Sequence, residues 1–211
     1  MAETLTITRL GARGDGVAEG PHGPVYVPLA LPGEVVTAEV DGERGRLVRV
    51  ETASPDRQAA DCPLFAHCGG CAAQHVAPQL YGTWKRDIVV QALAHAGVET
   101  EVMPLVDAHG AGRRRVTFHA RLIEGKAAVG FMAARSHALV PIAQCPVLAP
   151  GLATAPEKAG ALAALILPRG KPLDIQATET LGGLDMDIRG LGKADDRLRM
   201  ALVEAARTLD L

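Results

Sequence analysis

The sequence predicts three regions: an all-β barrel of OB type over residues 1–57, a cysteine loop over 58–76, and an α+β domain over 77–211. The sheet of the last region is expected to be mostly antiparallel. Three observations lead there. Up to residue 57 the chain alternates apolar and polar residues in short runs broken by glycine turns, the mark of half-buried strands. From Pro78 to Ala96 the spacing changes to that of a helix. Beyond it, strands and helices come in runs and not as alternating βαβ units, so no parallel-sheet crevice is indicated.

The barrel is read from four segments that together suggest five strands. "TLTITRL" alternates and is broken by "GARGDG"; "PVYVPLA" follows and ends at the Pro-Gly turn of "LPGE". "VVTAEV" and "GRLVRVE" flank "DGER", whose Asp-Gly pair is a strong hairpin signal. Short strands at this spacing suit an OB-type barrel. In the helix, Leu80, Trp84, Ile88 and Leu93 recur near helical spacing and Gly97 stops it. Leu80 and Trp84, one turn apart, read as core. In "VTFHARLI", Val116, Phe118, Ala120 and Leu122 share one strand face and Thr117, His119 and Arg121 the other. "AAVGFMA" and "HALVPIA" are further strands and "PEKAGALAALIL" is a helix. "PLDIQATET" and "LDMDIRG" form a hairpin around Gly182-Gly183, and "DDRLRMALVEAARTL" closes the chain as a helix.

Composition narrows the class. Aromatics make up 3% of the chain, so Ala, Val and Leu must fill the core. A net charge of -2 does not advertise a polyanion binder, so any nucleic-acid surface must be local. "MAETLTITRL" is a strand and not a signal peptide, and "GALAALIL" is too short to span a bilayer. The expectation is a cytoplasmic monomer without a membrane partner.

"DCPLFAHCGGCAAQH", residues 61–75, holds three of the four cysteines. In the cytoplasm thiols stay reduced, so the cluster points to metal or redox chemistry before a disulfide. The spacing is Cys62-x5-Cys68-x2-Cys71, and Cys145 follows in "QCPV". Gly69-Gly70 lets the backbone fold back between two ligands. A fourth ligand at Cys145 would tie the loop to the α+β domain. Both an iron–sulfur cubane and structural zinc take four thiolates. The three-plus-one arrangement favours the cubane, and the thiol set alone leaves both open. His67 and His75 flank the loop and can replace a cysteine in a mixed zinc site.

These residues carry a resemblance. "C-x5-C-G-G-C-x2-Q-H", "G-R-R-R-V-T-F" and "V-G-F-M-A-A-R-S-H-x-L-V-P-I-x-x-C-P-V-L" resemble the RNA uracil-C5 methyltransferases of the bacterial 23S rRNA type. "G-D-G-V-A" with "V-Y-V-P-x-A-L-P-G-E-V-V" resembles the TRAM barrel of that family. The resemblance runs from about Thr4 to Pro150 and continues more weakly to the end. It implies a 4Fe-4S cluster held by Cys62, Cys68, Cys71 and Cys145. It also implies a parent enzyme that uses S-adenosylmethionine, attacks uracil C6 with a cysteine thiolate, and acts on ribosomal in preference to transfer RNA, with no DNA partner.

That chemistry has no residues here. With four cysteines assigned as ligands, no nucleophile remains. "GARGDG" leads from strand to strand, "RGLGKADD" carries a lone G-x-G, and "TLGGLD" is a hairpin, so none makes a cofactor loop. The family's Rossmann-like domain, which binds S-adenosylmethionine, is absent. The chain is expected to be the N-terminal portion of a longer enzyme, with no catalytic residue and no methylation activity of its own.

The candidate RNA contacts are Arg113, Arg114, Arg115, His119 and Arg121, because arginines on a sheet rim suit phosphates. Arg135 and His137 in "ARSH" belong to the same surface or to a separate loop. In the barrel, Arg9, Arg13, Arg44, Arg46 and Arg49 can form a basic face, but acidic residues outnumber basic ones and Tyr26 is the one stacking aromatic. Asp185 and Asp187 read as a solvated strand face. The competing class is a non-enzymatic RNA-binding module whose four-cysteine site is stabilised by zinc. A radical enzyme fits worse: its cysteines would follow C-x3-C-x2-C, and a fourth thiolate would close the iron that must stay open.

Overall fold

A computed structural model describes residues 2–106, 112–169 and 171–211. The chain divides into two compact units, Met1–Phe65 with Cys71–Val106, and Ala66–Gly70 with Asp107–Leu211.

The first unit contains the barrel. Its strands are β1 (Ala2–Leu10), β2 (Gly16–Gly20), β3 (Gly23–Val27), β4 (Val35–Asp41) and β5 (Arg44–Thr52). The order β1-β2-β3-β5-β4 closes on itself, because β1 pairs antiparallel with both β2 and β4. One parallel pair, Tyr26 with Arg44, joins β3 to β5. This is the OB-type architecture that the strand spacing predicts. Strand β2, "GVAEG", escapes a propensity reading because it is five residues long and has glycine at both ends. Alternation then makes the core: Leu5, Ile7, Ala18, Val25, Val27, Ala30, Val36 and Ala38 are buried against one another. Among these is no aromatic, as the composition required.

Helix α1 (Pro78–His95) follows, with proline in its first turn. A division at residue 77 assigns this helix to the second domain, whereas the contacts place it with the barrel. The reason is Trp84. Its indole Nε1 donates to the Gly11 carbonyl at 3.0 Å, and its ring lies against the Cα of Gly14, where an added Cβ would sit 3.4 Å from it. Trp84 is buried, while Leu80, Ile88 and Leu93 are half-buried, so one residue anchors the helix.

The second unit is built on β6 (Arg115–Ile123), β7 (Lys126–Met132), β8 (Leu139–Pro141), β9 (Leu173–Thr180) and β10 (Gly183–Arg189). The sheet order is β10-β9-β6-β7-β8, and every neighbouring pair is antiparallel. Helix α2 (Ala155–Ile166) covers one face and α3 (Asp196–Leu209) packs on α2. On the covered face Val116, Phe118, Ala120, Leu173, Ile175 and Ala177 are buried beneath Ala159, Leu162, Ala163 and Ile166 of α2. Leu122, expected on this face, lies beyond the pairing with β9, which ends at Ala120, and is exposed. Asp195 caps α3 by accepting the Leu198 N–H at 2.7 Å. No helix among the described residues is long and apolar enough to cross a membrane.

Candidate functional site

The uncovered face of the second sheet follows from strand alternation. Register pairs Arg115 with Thr178 and Thr178 with Asp185, and the next row is Thr117, Gln176 and Asp187. A third row joins His119, Asp174 and Arg189. Side chains directly opposite in a ladder share a face, so all nine lie away from α2. The face is cationic along β6 and acidic along β9 and β10. Asp185 and Asp187 are on it as the sequence reading placed them, with Asp187 taken up by Arg189 at 2.8 Å.

Of the five expected RNA contacts, Arg115, His119 and Arg121 therefore share one surface. Arg113 and Arg114 precede β6, and both side chains are exposed. Their backbone is held: the Arg113 N–H donates to the Val147 carbonyl and the Arg114 carbonyl accepts from Glu179 N–H, both at 2.9 Å. Gly110 and Ala111, which open the arginine-rich segment, lie outside the described residues. The Arg121 guanidinium donates to the His137 carbonyl at 2.9 Å, so the "ARSH" turn does border the same surface.

Around His119 the face dips into a cavity of about 170 Å³. His119 Nδ1 lies 2.7 Å from Asp174 Oδ1. A carboxylate only accepts, so Nδ1 carries a proton and donates it to Asp174. Asp174, Arg189, Met132 and Leu173 also line this cavity. Sequence reasoning missed them because they come from three strands far from His119 in the chain. Polar alternation of Asp174, Gln176 and Thr178 in β9 was the available signal.

The barrel's arginines are different. Arg46 pairs with Glu39 at 2.6 Å and Arg49 with Glu51 at 2.8 Å, all on the surface. Pairs of this kind contribute about 0–1 kcal/mol to stability, but they neutralise the basic face that the sequence allowed. Glu34 is a site that reading overlooked. Its carboxylate is fully buried and accepts from Leu31 N–H at 2.8 Å, Ser54 N–H at 3.3 Å, and Arg57 Nε at 2.6 Å.

The cysteine loop divides between the units. Cys62 and Cys71 belong to the first, Cys68 and Cys145 to the second. In the first, Gln74 Oε1 accepts the Cys62 N–H at 3.1 Å, and Arg57 forms a bridge with Val76. In the second, Cys68 forms an antiparallel bridge with Ala133 beyond β7, and the Gly69 N–H donates to the Met132 carbonyl at 2.9 Å. A Cβ on Gly69 would meet that carbonyl at 2.8 Å, so glycine is what permits this approach.

All four cysteines are thiols, each half-buried. The Gly70 N–H points at Cys68 Sγ at 3.4 Å. Among the described residues no three His, Cys, Asp or Glu side chains converge on a metal position. The donor chemistry nonetheless fits a thiolate-ligated group: soft, undisulfided sulfurs, one already receiving a backbone hydrogen bond.

Of the flanking histidines, His67 is exposed and His75 is 3% exposed, its ring 5.3 Å from that of Phe65. Neither nitrogen of His75 has a hydrogen-bond partner among the described residues. Burial, reinforced by the positive Arg57 and opposed by Glu34, pushes its pKa down to about 4. The unfolded chain thus takes up a proton below about pH 6.5 that the folded chain refuses until about pH 4. Stability measured by urea unfolding is expected to fall by about 2 kcal/mol from about pH 7.5 to about pH 5. His75→Phe should abolish that fall; an unchanged slope would show that water reaches the imidazole.

Comparison with known proteins bears on this geometry. No family model matches the chain. An uncharacterized RNA methyltransferase of Brucella suis biovar 1 is 42% identical over 198 residues, 94% of this chain and 48% of the relative. Proteins of the same description from Caulobacter vibrioides and Agrobacterium fabrum are 43% and 39% identical, over 95% and 96% of this chain. All three relatives carry the name uncharacterized RNA methyltransferase. The chain spans about half the length of these curated relatives.

Proposed function

We propose that this chain is the RNA-recognition and 4Fe-4S-binding part of an RNA (uracil-C5) methyltransferase that uses S-adenosylmethionine and acts in the cytoplasm on 23S ribosomal RNA. The observation that carries the reading is similarity to proteins named RNA methyltransferases along 94–96% of the chain. The closed barrel and the arginine-lined strand β6 support it, since both suit a surface that tracks a phosphate backbone.

In this reading Arg113, Arg114 and Arg115 meet phosphates at the entry to β6, and His119 and Arg121 continue the path along the strand. Cys62, Cys68, Cys71 and Cys145 hold the cluster, which supplies four strong iron–thiolate bonds and thereby fixes loop segments that have little core of their own. The chain carries no methyl-transfer residues, binds RNA as a monomer, and does not methylate by itself.

Two measurements test this. Anoxically purified protein should be brown, absorb near ~400 nm and contain about four irons per chain. Stoichiometric zinc without iron would favour the non-enzymatic, zinc-stabilised RNA-binding module. Changing Arg113, Arg114 and Arg115 together to Gln should weaken binding of single-stranded RNA and lower its log–log salt slope by about 2, at ~0.7 per lost phosphate contact. An unaltered slope removes that segment from the interface.

A further inference from the structure

We infer that Tyr81, flanked by Lys85 and Arg13, is a stacking platform for one unpaired base of single-stranded RNA. The inference rests on the RNA-binding reading above and adds a second point of contact, on the barrel unit, that meets a base by its face.

Helical spacing builds the platform. Tyr81 and Lys85 lie one turn apart in α1 and so share a side of the helix. Trp84 anchors that side to the barrel. A Cβ built on Gly14, whose φ is +87°, would meet the Trp84 ring at 3.4 Å and the Ala72 methyl at 3.6 Å. The loop that joins β1 to β2 therefore lies directly on the indole. Tyr81 stands at the edge of this contact: its ring meets that of Trp84 at 5.8 Å between centroids, with 65° between the planes. Trp84 is 9% exposed and Tyr81 36%. The indole holds the helix in place, and the phenol ring keeps surface open to solvent.

The surrounding charge is cationic. Lys85 Nζ lies 5.0 Å from the Trp84 centroid and 5.9 Å from that of Tyr81, within cation–π range of both rings. No carboxylate among the described residues pairs with it. Arg13 is exposed and immediately precedes Gly14, so a second cation borders the same contact. Arg46 and Arg49 differ, since Glu39 and Glu51 neutralise them. The nearby acids are Asp15, after Gly14, and Asp87, which projects about 120° around the helix from Tyr81. Two cations beside an exposed ring favour a polyanion over an apolar protein surface. An aromatic face with basic groups at its border is the usual platform for single-stranded RNA: the base stacks, and the cations meet its phosphates. Every base has a π-face, so this contact tolerates any sequence.

The test uses the full chain, with Trp84, the single tryptophan, as reporter. Labelled oligouridine and oligoadenosine follow binding by anisotropy, and the unlabelled RNAs follow Trp84 emission. Both RNAs are expected to quench Trp84 as they bind, because a base stacked on Tyr81 lies close to the indole. Inorganic polyphosphate should leave the emission unchanged. Tyr81→Leu keeps apolar bulk but has no π-face. It should weaken RNA binding by about fivefold or more and remove the quench. Its log–log salt slope should stay the same, because stacking releases no counterion. Tyr81→Phe should keep both affinity and quench. Lys85→Gln should instead lower the slope by ~0.7 and keep the quench. Urea unfolding of each unliganded variant, read by Trp84, reports that the unit is folded. The platform is overturned if RNA binds the wild type without quenching Trp84, or if polyphosphate quenches it equally. It is also overturned if Tyr81→Leu binds and quenches like the wild type, or if Lys85→Gln leaves the slope unaltered. Failure of every RNA to bind by anisotropy would instead remove the RNA-binding reading itself and this platform with it.

Discussion

Glu34→Ala is expected to destabilise the barrel unit by about 3 kcal/mol, a large share of the roughly 5–15 kcal/mol that keeps a domain folded. The carboxylate has no solvent exposure, whereas the Arg57 side chain is 26% exposed. Removing the acid strands Arg57 in a partly dry position and leaves two donors, the Leu31 and Ser54 N–H groups, without an acceptor. Arg57 also donates to the Leu29 carbonyl at 2.7 Å, so one ion pair fastens the β3–β4 connection to the segment leaving β5.

Burial by itself would raise the Glu34 pKa. The Arg57 hydrogen bonds, the two backbone donors and the Arg57 charge outweigh it and hold the carboxyl below its usual 4.5. Its contribution is thus complete above about pH 4.5 and is lost as pH falls through the lower folded value. Urea unfolding followed by Trp84, the single tryptophan, reads both effects. The Ala variant should lose stability at neutral pH and show a flatter acid limb. In Glu34→Ala/Arg57→Ala the combined loss should fall short of the sum of the single losses. A neutral-pH loss under about 1 kcal/mol would mean that the pair is held by solvent and not by burial.

Cys145→Ser is expected to take iron from about four per chain to below about one and to erase the ~400 nm band. A serine hydroxyl does not ionise near neutral pH, so it cannot replace a thiolate as an anionic ligand. Cys68→Ser should act alike and remove the sulfur that receives the Gly70 N–H. The control is the second unit's core: Phe118 and Ile175 are fully buried, so metal-free wild type and Cys145→Ser should unfold at the same urea concentration. Unchanged iron in Cys145→Ser would strike Cys145 from the ligand set. Unchanged metal in all four single variants would remove the cluster.

Much of the fold was legible because period-two alternation is a local signal. In β6, Val116, Phe118 and Ala120 against Thr117, His119 and Arg121 divides core from open face without any partner strand in view. The helices were likewise set by spacing and by stops such as Gly97. Strand β2 was not legible, since two of its five residues are glycines whose use depends on close neighbours. The place of α1 was not legible either: a single indole hydrogen bond to Gly11, 73 positions away, decides it.

The candidate sites divide the same way. Sequence by itself determined the thiol set, the arginine run and the polar face of β6, because each is a matter of residue type and short-range spacing. Tertiary structure alone decided that His119 meets Asp174, that no described residue offers an acceptor to the buried Nε of Arg121, and that Glu34 is clasped by Arg57. Those pairings depend on strand register and chain closure, which bring together groups 23 and 55 positions apart. No local pattern of residues encodes a distance of that kind.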